Sequence, residues 1–216
     1  MTPCKGEAVH SSAAPDVSDE LPAGARARLD AYLDLLEKWN RVYNLTAIRA
    51  RGEMAPLHVE DALAVLPWLP DRAGLRVLDV GSGGGVPGIP LAIARPAAHF
   101  TLIDSNGKKT AFLAQAAIEL GLANVRVVTA RVEAFAPDVC FDVVIARAFS
   151  DLATLAAAGL PLMADRGSIL AMKGVLPTAE IAALPPTVTV VATRALDVPG
   201  VDAERHLVIL EKRTPT

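Results

Sequence analysis

A glycine-rich stretch, LDVGSGGGVPGIPLAI, runs from Leu78 to Ile93 and holds five glycines and two prolines. An apolar run precedes the glycines, and the residues after them have the composition of a helix. In open parallel sheets such a turn joins the first strand to its helix, and ligands bind there, beyond the carboxyl ends of the strands. The stretch therefore predicts a cofactor site.

The spacing of these glycines is compatible with two cofactors. Gly83, Gly85 and Gly88 satisfy the GxGxxG pattern of dinucleotide sites, but a glycine pattern alone is a weak signal. Asp79 precedes the first glycine by two residues and completes an acidic-x-Gly-x-Gly-x-Gly pattern. A carboxylate there can accept hydrogen bonds from the amino-acid end of S-adenosylmethionine (SAM), whereas it would repel a pyrophosphate. The pattern favours SAM over NAD.

A second acidic residue, Asp104, ends the next predicted strand. A carboxylate in that position can accept hydrogen bonds from both ribose hydroxyls of a nucleoside cofactor. The alternative interpretation is that the glycines only form a tight turn and that Asp104 caps the following helix.

The rest of the chain predicts an α/β fold that holds this turn. Short β-branched runs alternate with helical stretches, which is typical of parallel strands joined by crossover helices. Near the end, two runs are joined by a loop too short for a helix, so this pair is expected to be antiparallel. The predicted strands are 76–80, 99–103, 125–129, 143–146, 169–172, 188–193 and 206–212.

Helical periodicity comes before the first strand. Apolar residues recur at steps of three and four between Leu29 and Tyr43 and again between Met54 and Trp68, which predicts two amphipathic helices. Residues 1–22 are too poor in large apolar groups to offset the entropy of ordering them. We therefore expect a disordered tail over 1–22, a helical cap over 23–72 and a cofactor-binding domain over 73–216.

Composition excludes several classes of protein. No apolar run approaches the roughly 18 residues of a membrane span, and the first residues lack the apolar core of a signal peptide, so a soluble cytoplasmic protein is expected. Cys4 and Cys140 are expected to be free thiols. The four histidines do not cluster, so no metal site is expected, and His58 is expected to pack or to cap a helix. No sustained heptad pattern is present, so a monomer is expected.

The net charge of −3 excludes blanket adhesion to nucleic acid, because such affinity depends on neutralising phosphates. Any nucleic-acid site must therefore be a local basic patch.

Several motifs together resemble one known family, the bacterial small-subunit ribosomal RNA guanine-N7 methyltransferases, also called glucose-inhibited division protein B. The resemblance spans about residues 25–212, and no single motif carries it. Its motifs are LEKWNRVYNLTAI, HVEDALAV, LDVGSGGGVPGIPLAI, LIDSNGKKTAFL, ARVEAF, FDVVIARAFSDL, MKG and VPGVDAERHLVIL.

This resemblance implies a seven-stranded Rossmann-like SAM-methyltransferase sheet with an N-terminal helical cap. It also implies methylation of N7 of guanine 527, in the 530 loop of 16S rRNA, within the small ribosomal subunit or its precursor. The implied cofactor-binding residues are Asp79, Gly81, Ser82, Gly83, Gly85, Val86, Asp104, Ser105, Val132, Glu133 and Arg147. The implied catalytic residues are Arg147, Lys173 and Arg131.

Guanine N7 carries a lone pair and no proton at neutral pH, so its methylation is an in-line displacement that needs no general base. The sequence after the fourth predicted strand, Ala146 to Phe149, also lacks the Asn/Asp-Pro-Pro-aromatic motif of enzymes that methylate exocyclic amines. Phe149 could stack on a flipped base or belong to the core.

The basic residues have two possible roles. Lys108 and Lys109, with Arg131, Arg147 and Lys173, are predicted to form a basic rim at the cofactor cleft. Alternatively, the two lysines are ordinary surface charges, and Arg147 forms an ion pair with Asp104 or Glu133.

Three other functions stay open at this stage. A SAM-dependent methyltransferase of small molecules would need an aromatic-lined pocket, and only 4% of the residues are aromatic. An NAD-linked oxidoreductase is opposed by Asp79. A ribosome-assembly factor that binds SAM without turnover would retain the same glycine turn.

Overall fold

The computed structural model describes residues 21–213, which form a seven-stranded sheet in the order β3-β2-β1-β4-β5-β7-β6. The strands are β1 Arg76–Val80, β2 His99–Asp104, β3 Val125–Thr129, β4 Phe141–Arg147, β5 Met163–Lys173, β6 Val188–Ala195 and β7 His206–Lys212. The first five pair in parallel, whereas β7 is antiparallel to both β5 and β6. All seven predicted strands and the antiparallel end pair are confirmed.

Helices cover both faces of the sheet. They are α1 Ala25–Tyr43, α2 Arg51–Met54, α3 Asp61–Leu63, α4 Gly88–Ala94, α5 Gly107–Glu119, α6 Leu152–Gly159 and α7 Thr178–Ala182. A π-helical segment, Ala55–Glu60, joins α2 to α3, and single 3₁₀ turns lie at Leu66–Trp68, Val132–Ala134 and Leu160–Leu162. Asn106 caps α5 by accepting a hydrogen bond from the Lys108 amide, so the capping role considered for Asp104 belongs to Asn106.

The stretch expected to form one helix over 54–68 is interrupted. The amide of Asp61 donates to the carbonyl of Pro56, five residues back, in place of the α-helical carbonyl of Leu57. The Leu57 carbonyl is therefore released from the helix ladder, and it accepts a hydrogen bond of 2.7 Å from Arg147. The single-helix prediction was wrong because a side chain from β4 takes over this carbonyl, and local periodicity contains no sign of it.

The cap and the sheet share one apolar core. Leu29, Leu33 and Leu36 of α1 are buried in a cluster with α4, α5 and one face of β1, and a second cluster on the other face includes α6. The division into a cap over 23–72 and a domain over 73–216 stays a prediction. The predicted tail lies outside the described residues except for Leu21 and Pro22.

Cys140 is a free thiol on the surface, while Cys4 lies outside the described residues. Within residues 21–213, no helix combines the length and the apolar character needed to cross a membrane.

Candidate functional site

The glycine turn leaves β1 at the carboxyl edge of the sheet and enters α4. Gly81, Gly83 and Gly85 have φ values of +71°, +56° and +91°, which residues other than glycine rarely adopt. A Cβ on Gly85 would also lie 2.7 Å from the Ile89 side chain. The turn therefore requires glycine for its conformation and for its close packing on α4.

Asp79 lies beneath this turn and is fully buried. Its Oδ2 accepts a hydrogen bond of 3.0 Å from the Gly88 amide at the start of α4. Its Oδ1 is buried and receives no hydrogen bond from any residue in the described part of the chain. Burial raises the pKa of Asp79 from its usual value of 3.8 to about 7. An unsatisfied carboxylate oxygen of this kind is a ready acceptor for a cationic donor.

Asp104, at the end of β2, connects two turns. Its Oδ2 accepts a hydrogen bond of 3.0 Å from the Gly83 amide, and its Oδ1 accepts one of 2.8 Å from the Asn106 amide. Lys109 approaches Oδ2 to 3.7 Å. Because an ionised carboxylate can accept about four hydrogen bonds, Asp104 retains acceptor capacity for a ligand while it fixes the glycine turn.

Tyr32 of α1 holds the glycine turn from the cap side, and no pattern in the sequence indicated this contact. Its buried hydroxyl donates a hydrogen bond of 2.6 Å to the carbonyl of Gly84, and burial raises the pKa of this phenol above its usual range. A Cβ on Gly84 would lie 3.1 Å from Leu36 and 3.7 Å from the Leu45 carbonyl. The cap therefore forms one wall of the turn.

The end of β3 contributes a mixed set of side chains. Val132 is buried, while Arg131 and Glu133 on either side of it are exposed. Ser105, which follows β2, is also exposed, and the nearby Ser82 and Val86 of the glycine turn are buried. This arrangement agrees with an apolar contact from Val132, but it assigns no partner to Arg131.

Arg147, at the end of β4, lies in a polar network that reaches the cap. It donates hydrogen bonds to the Leu57 carbonyl at 2.7 Å and to Asp61 Oδ2 at 3.0 Å. Arg205, just before β7, donates to the other oxygen of Asp61, also at 3.0 Å. Asp61 is only 2% exposed, so two guanidinium groups compensate one buried carboxylate.

This network corrects the sequence-based alternative for Arg147. Its ion-pair partner is Asp61, and not Asp104 or Glu133. The pair of Arg147 and Asp61 could not be predicted, because the two residues lie far apart along the chain. A carboxylate in the middle of an apolar helical stretch nevertheless indicates a buried charge that needs a partner. No motif or spacing in the sequence indicated a role for Arg205.

His58 belongs to the same network and is buried, as expected. Its Nδ1 lies 3.2 Å from Arg147, and its Nε2 lies 3.1 Å from the Thr46 hydroxyl. Burial, together with the charge of Arg147, lowers the pKa of His58 from 6.5 to about 4. At neutral pH its imidazole is therefore uncharged.

Lys173, at the end of β5, stabilises the loop after β4. Its ammonium group donates to the Ser150 carbonyl and to Glu180, both at 2.9 Å, and Glu180 also accepts the Leu152 amide. Phe149 on this loop is half-buried, and a Cβ on Gly81 would lie 3.5 Å from its ring. The ring therefore lies beside the first glycine of the turn, which stays exposed.

The predicted basic residues form a row and not a cluster. Arg131 follows β3 and Lys173 ends β5, and these strands are four positions apart in the sheet order. Neighbouring strands are about 4.8 Å apart, so the two ends of the row are roughly 19 Å apart. Arg147 and Lys109 lie between them, and both are already near carboxylates.

Comparison with known proteins identifies close relatives. A sequence model of a family described as GidB, rRNA small subunit methyltransferase G, matches residues 25–208. The Ribosomal RNA small subunit methyltransferase G of Neisseria gonorrhoeae is 54% identical over 199 residues, which cover 92% of this chain and 93% of that protein. The protein of the same name from Laribacter hongkongensis is 57% identical over 182 residues, covering 84% and 86%.

Solved structures support the same architecture. TrmN from Thermus thermophilus aligns with a TM-score of 0.55 and 25% identity over 70% of this chain, which spans 48% of that protein. A SAM-dependent methyltransferase from Thiobacillus denitrificans, solved with S-adenosyl-L-homocysteine, aligns with a TM-score of 0.55 and 16% identity, over 83% of this chain and 97% of that one. The seven-stranded fold is therefore that of Rossmann-like methyltransferases.

Proposed function

The chain belongs to the GidB family, the rRNA small subunit methyltransferases G, and from this premise we propose that it transfers the methyl group of SAM to N7 of guanine 527 in 16S rRNA. Family membership supports SAM-dependent methylation of small-subunit rRNA and removes the NAD-linked alternative. The proposal adds the identity of the base, the methylated atom and the position in the rRNA.

The residues at the carboxyl edge of the sheet fit SAM. Asp79 offers a buried oxygen without a partner for the ammonium group, and Asp104 retains acceptor capacity for the ribose hydroxyls. Val132 provides an apolar surface at the end of β3 for the adenine. When bound, the cofactor supplies an electrophilic methyl group on a sulfonium. We propose that the remaining cofactor contacts are Gly81, Ser82, Gly83, Gly85, Val86, Ser105, Glu133 and Arg147.

The groups around Arg147 favour a target atom that has no proton to lose. Near the end of β4, Asp61 is held between two arginines, and His58 is buried behind Arg147 with its pKa lowered to about 4. His58 is therefore a poor proton acceptor for a bound base, and both oxygens of Asp61 are already paired with arginines. Guanine N7 needs no acceptor, because its lone pair can attack the methyl group directly.

In this mechanism the chain orients two reactants and excludes water. Arg147 is one quarter exposed, so its guanidinium can donate a hydrogen bond to O6 beside N7 while Asp61 fixes its position. Lys173 holds the loop of Phe149, whose ring lies beside the first glycine of the turn. Arg131, exposed at the end of β3, can bind a phosphate of the RNA. Such positioning is the main source of rate acceleration in a displacement without acid–base chemistry.

The test is transfer of labelled methyl groups from SAM to small ribosomal subunits taken from cells that lack this gene. We expect labelled 7-methylguanosine by mass spectrometry, at one position in the 530 loop, and no label in large subunits treated in parallel. Label in another nucleoside would contradict the proposed atom. Absence of any label, with SAM binding intact, would support a small-molecule methyltransferase or an inactive SAM-binding assembly factor.

A further inference from the structure

The end of α1 carries two apolar side chains on its surface. Val42 is 70% exposed and Tyr43 is 43% exposed, whereas Leu29, Leu33 and Leu36 of the same helix are buried. A surface tyrosine presents an apolar ring and a polar hydroxyl, which suits it to contacts with a partner molecule. Tyr43 is therefore a candidate contact residue.

Tyr43 is the outermost ring of a ladder that is rooted in the core. Its ring centroid lies 5.4 Å from that of Trp39, which lies 5.7 Å from that of the fully buried Phe112 in α5. Because Trp39 and Phe112 hold it from behind, the ring of Tyr43 loses little conformational freedom when a ligand stacks on it. The ladder thus provides a preorganised flat surface.

Basic residues lie near the carboxyl end of α1 and directly after it. Lys38 and Arg41 lie on the last turns of α1 and are exposed, and Arg49 follows the helix, where it donates to Asn44 at 2.9 Å. The acidic neighbour on this part of the helix is Glu37, which pairs with Arg41 at 3.0 Å. Three cations and one carboxylate leave a local net charge of +2, in a chain whose total charge is −3.

The ladder also borders the candidate cofactor site. Leu45, two residues after Tyr43, lies against the glycine turn, where its carbonyl would be 3.7 Å from a Cβ on Gly84. Two residues of extended chain span at most about 7 Å. The backbone of Tyr43 therefore lies close to the glycine turn.

We propose that Tyr43, with the basic residues Lys38, Arg41 and Arg49 at the same end of α1, is a docking surface for unpaired RNA nucleotides beside the target base. Proteins recognise unpaired RNA by stacking bases on aromatic rings and by placing basic side chains along the phosphates, and both elements are present here. The inference rests on the proposed function, because it assigns this surface to the same RNA substrate.

The experiment compares Tyr43→Ala with Tyr43→Phe. Stacking of one base supports about a tenfold change in RNA affinity, so Tyr43→Ala is expected to weaken binding of a single-stranded 530-loop oligonucleotide about tenfold. The KM for small subunits should rise to a similar degree, whereas the Kd for SAM should not change. Tyr43→Phe keeps the ring and is expected to behave as the unmodified protein.

Ile118→Ala is the matched control, because Ile118 is 74% exposed and lies near the carboxyl end of α5, six residues beyond Phe112. Unchanged oligonucleotide affinity in Tyr43→Ala would overturn the inference, as would an equal loss in Ile118→Ala or a parallel loss of SAM affinity. If the unmodified protein binds the oligonucleotide through Tyr43 but transfers no methyl group, the proposed function fails and the docking surface stands. Thermal unfolding of each variant shows that the fold is intact.

Discussion

The buried carboxyl group of Asp79 should make the stability of this protein fall as the pH rises. Its pKa is about 7 in the folded protein and near 3.8 in the unfolded chain. Because the folded state retains the proton more tightly, the stability contributed by Asp79 is complete below pH 4 and is lost as the pH rises through about 7. Over the whole range the difference corresponds to about 4 kcal/mol, at about 1.4 kcal/mol for each pH unit.

Asp79→Asn is the appropriate perturbation, since an amide has the same shape, keeps an acceptor for the Gly88 amide and does not ionise. We expect the free energy of unfolding of this variant, relative to the unmodified protein, to increase by about 3 kcal/mol between pH 5 and pH 8. Denaturant titrations at four or five pH values within this range measure the difference directly.

His58 titrates in the opposite sense. Its pKa is lower in the folded state, so its contribution to stability is complete above pH 6.5 and is lost as the pH falls to about 4. Both proteins contain His58, so its effect cancels in the difference between them. A difference that stays constant from pH 5 to pH 8 would show that Asp79 is already ionised in the fold, and the raised pKa assigned to its burial would be wrong.

Three further substitutions test other parts of the site. Tyr32→Phe removes only the hydrogen bond to Gly84, so denaturation should show a free energy of unfolding lower by about 1–2 kcal/mol. SAM should also bind more weakly in calorimetry. Unchanged values would mean that the phenol does not hold the turn. Asp104→Ala should weaken SAM binding by calorimetry, and an unaltered affinity would place the ribose elsewhere. Arg147→Ala should leave a folded protein without methyl transfer, because both Asp61 and the target base lose a partner; normal turnover would refute its catalytic role.

Local patterns in the sequence predicted most of the architecture. The seven strands follow from β-branched runs, and α5 follows from its periodicity and its terminal glycine, because each pattern involves neighbours along the chain. The glycine turn and Asp79 were recognisable for the same reason. Positive φ values at three glycines are a property of the turn itself, and the acidic residue precedes that turn by two positions.

The tertiary structure alone decided how the cap and the strand ends are joined. Arg147 meets Asp61 across 86 residues, and Arg205 meets it across 144 residues. Tyr32 looked like one more apolar position of α1, yet its hydroxyl reaches the carbonyl of Gly84, 52 residues away. The sequence by itself determined the strands and the cofactor turn, since those depend on local chemistry. The partners of its buried charges depended on chain folding, because electrostatic pairing and hydrogen bonding act through space and leave no regular spacing in the sequence.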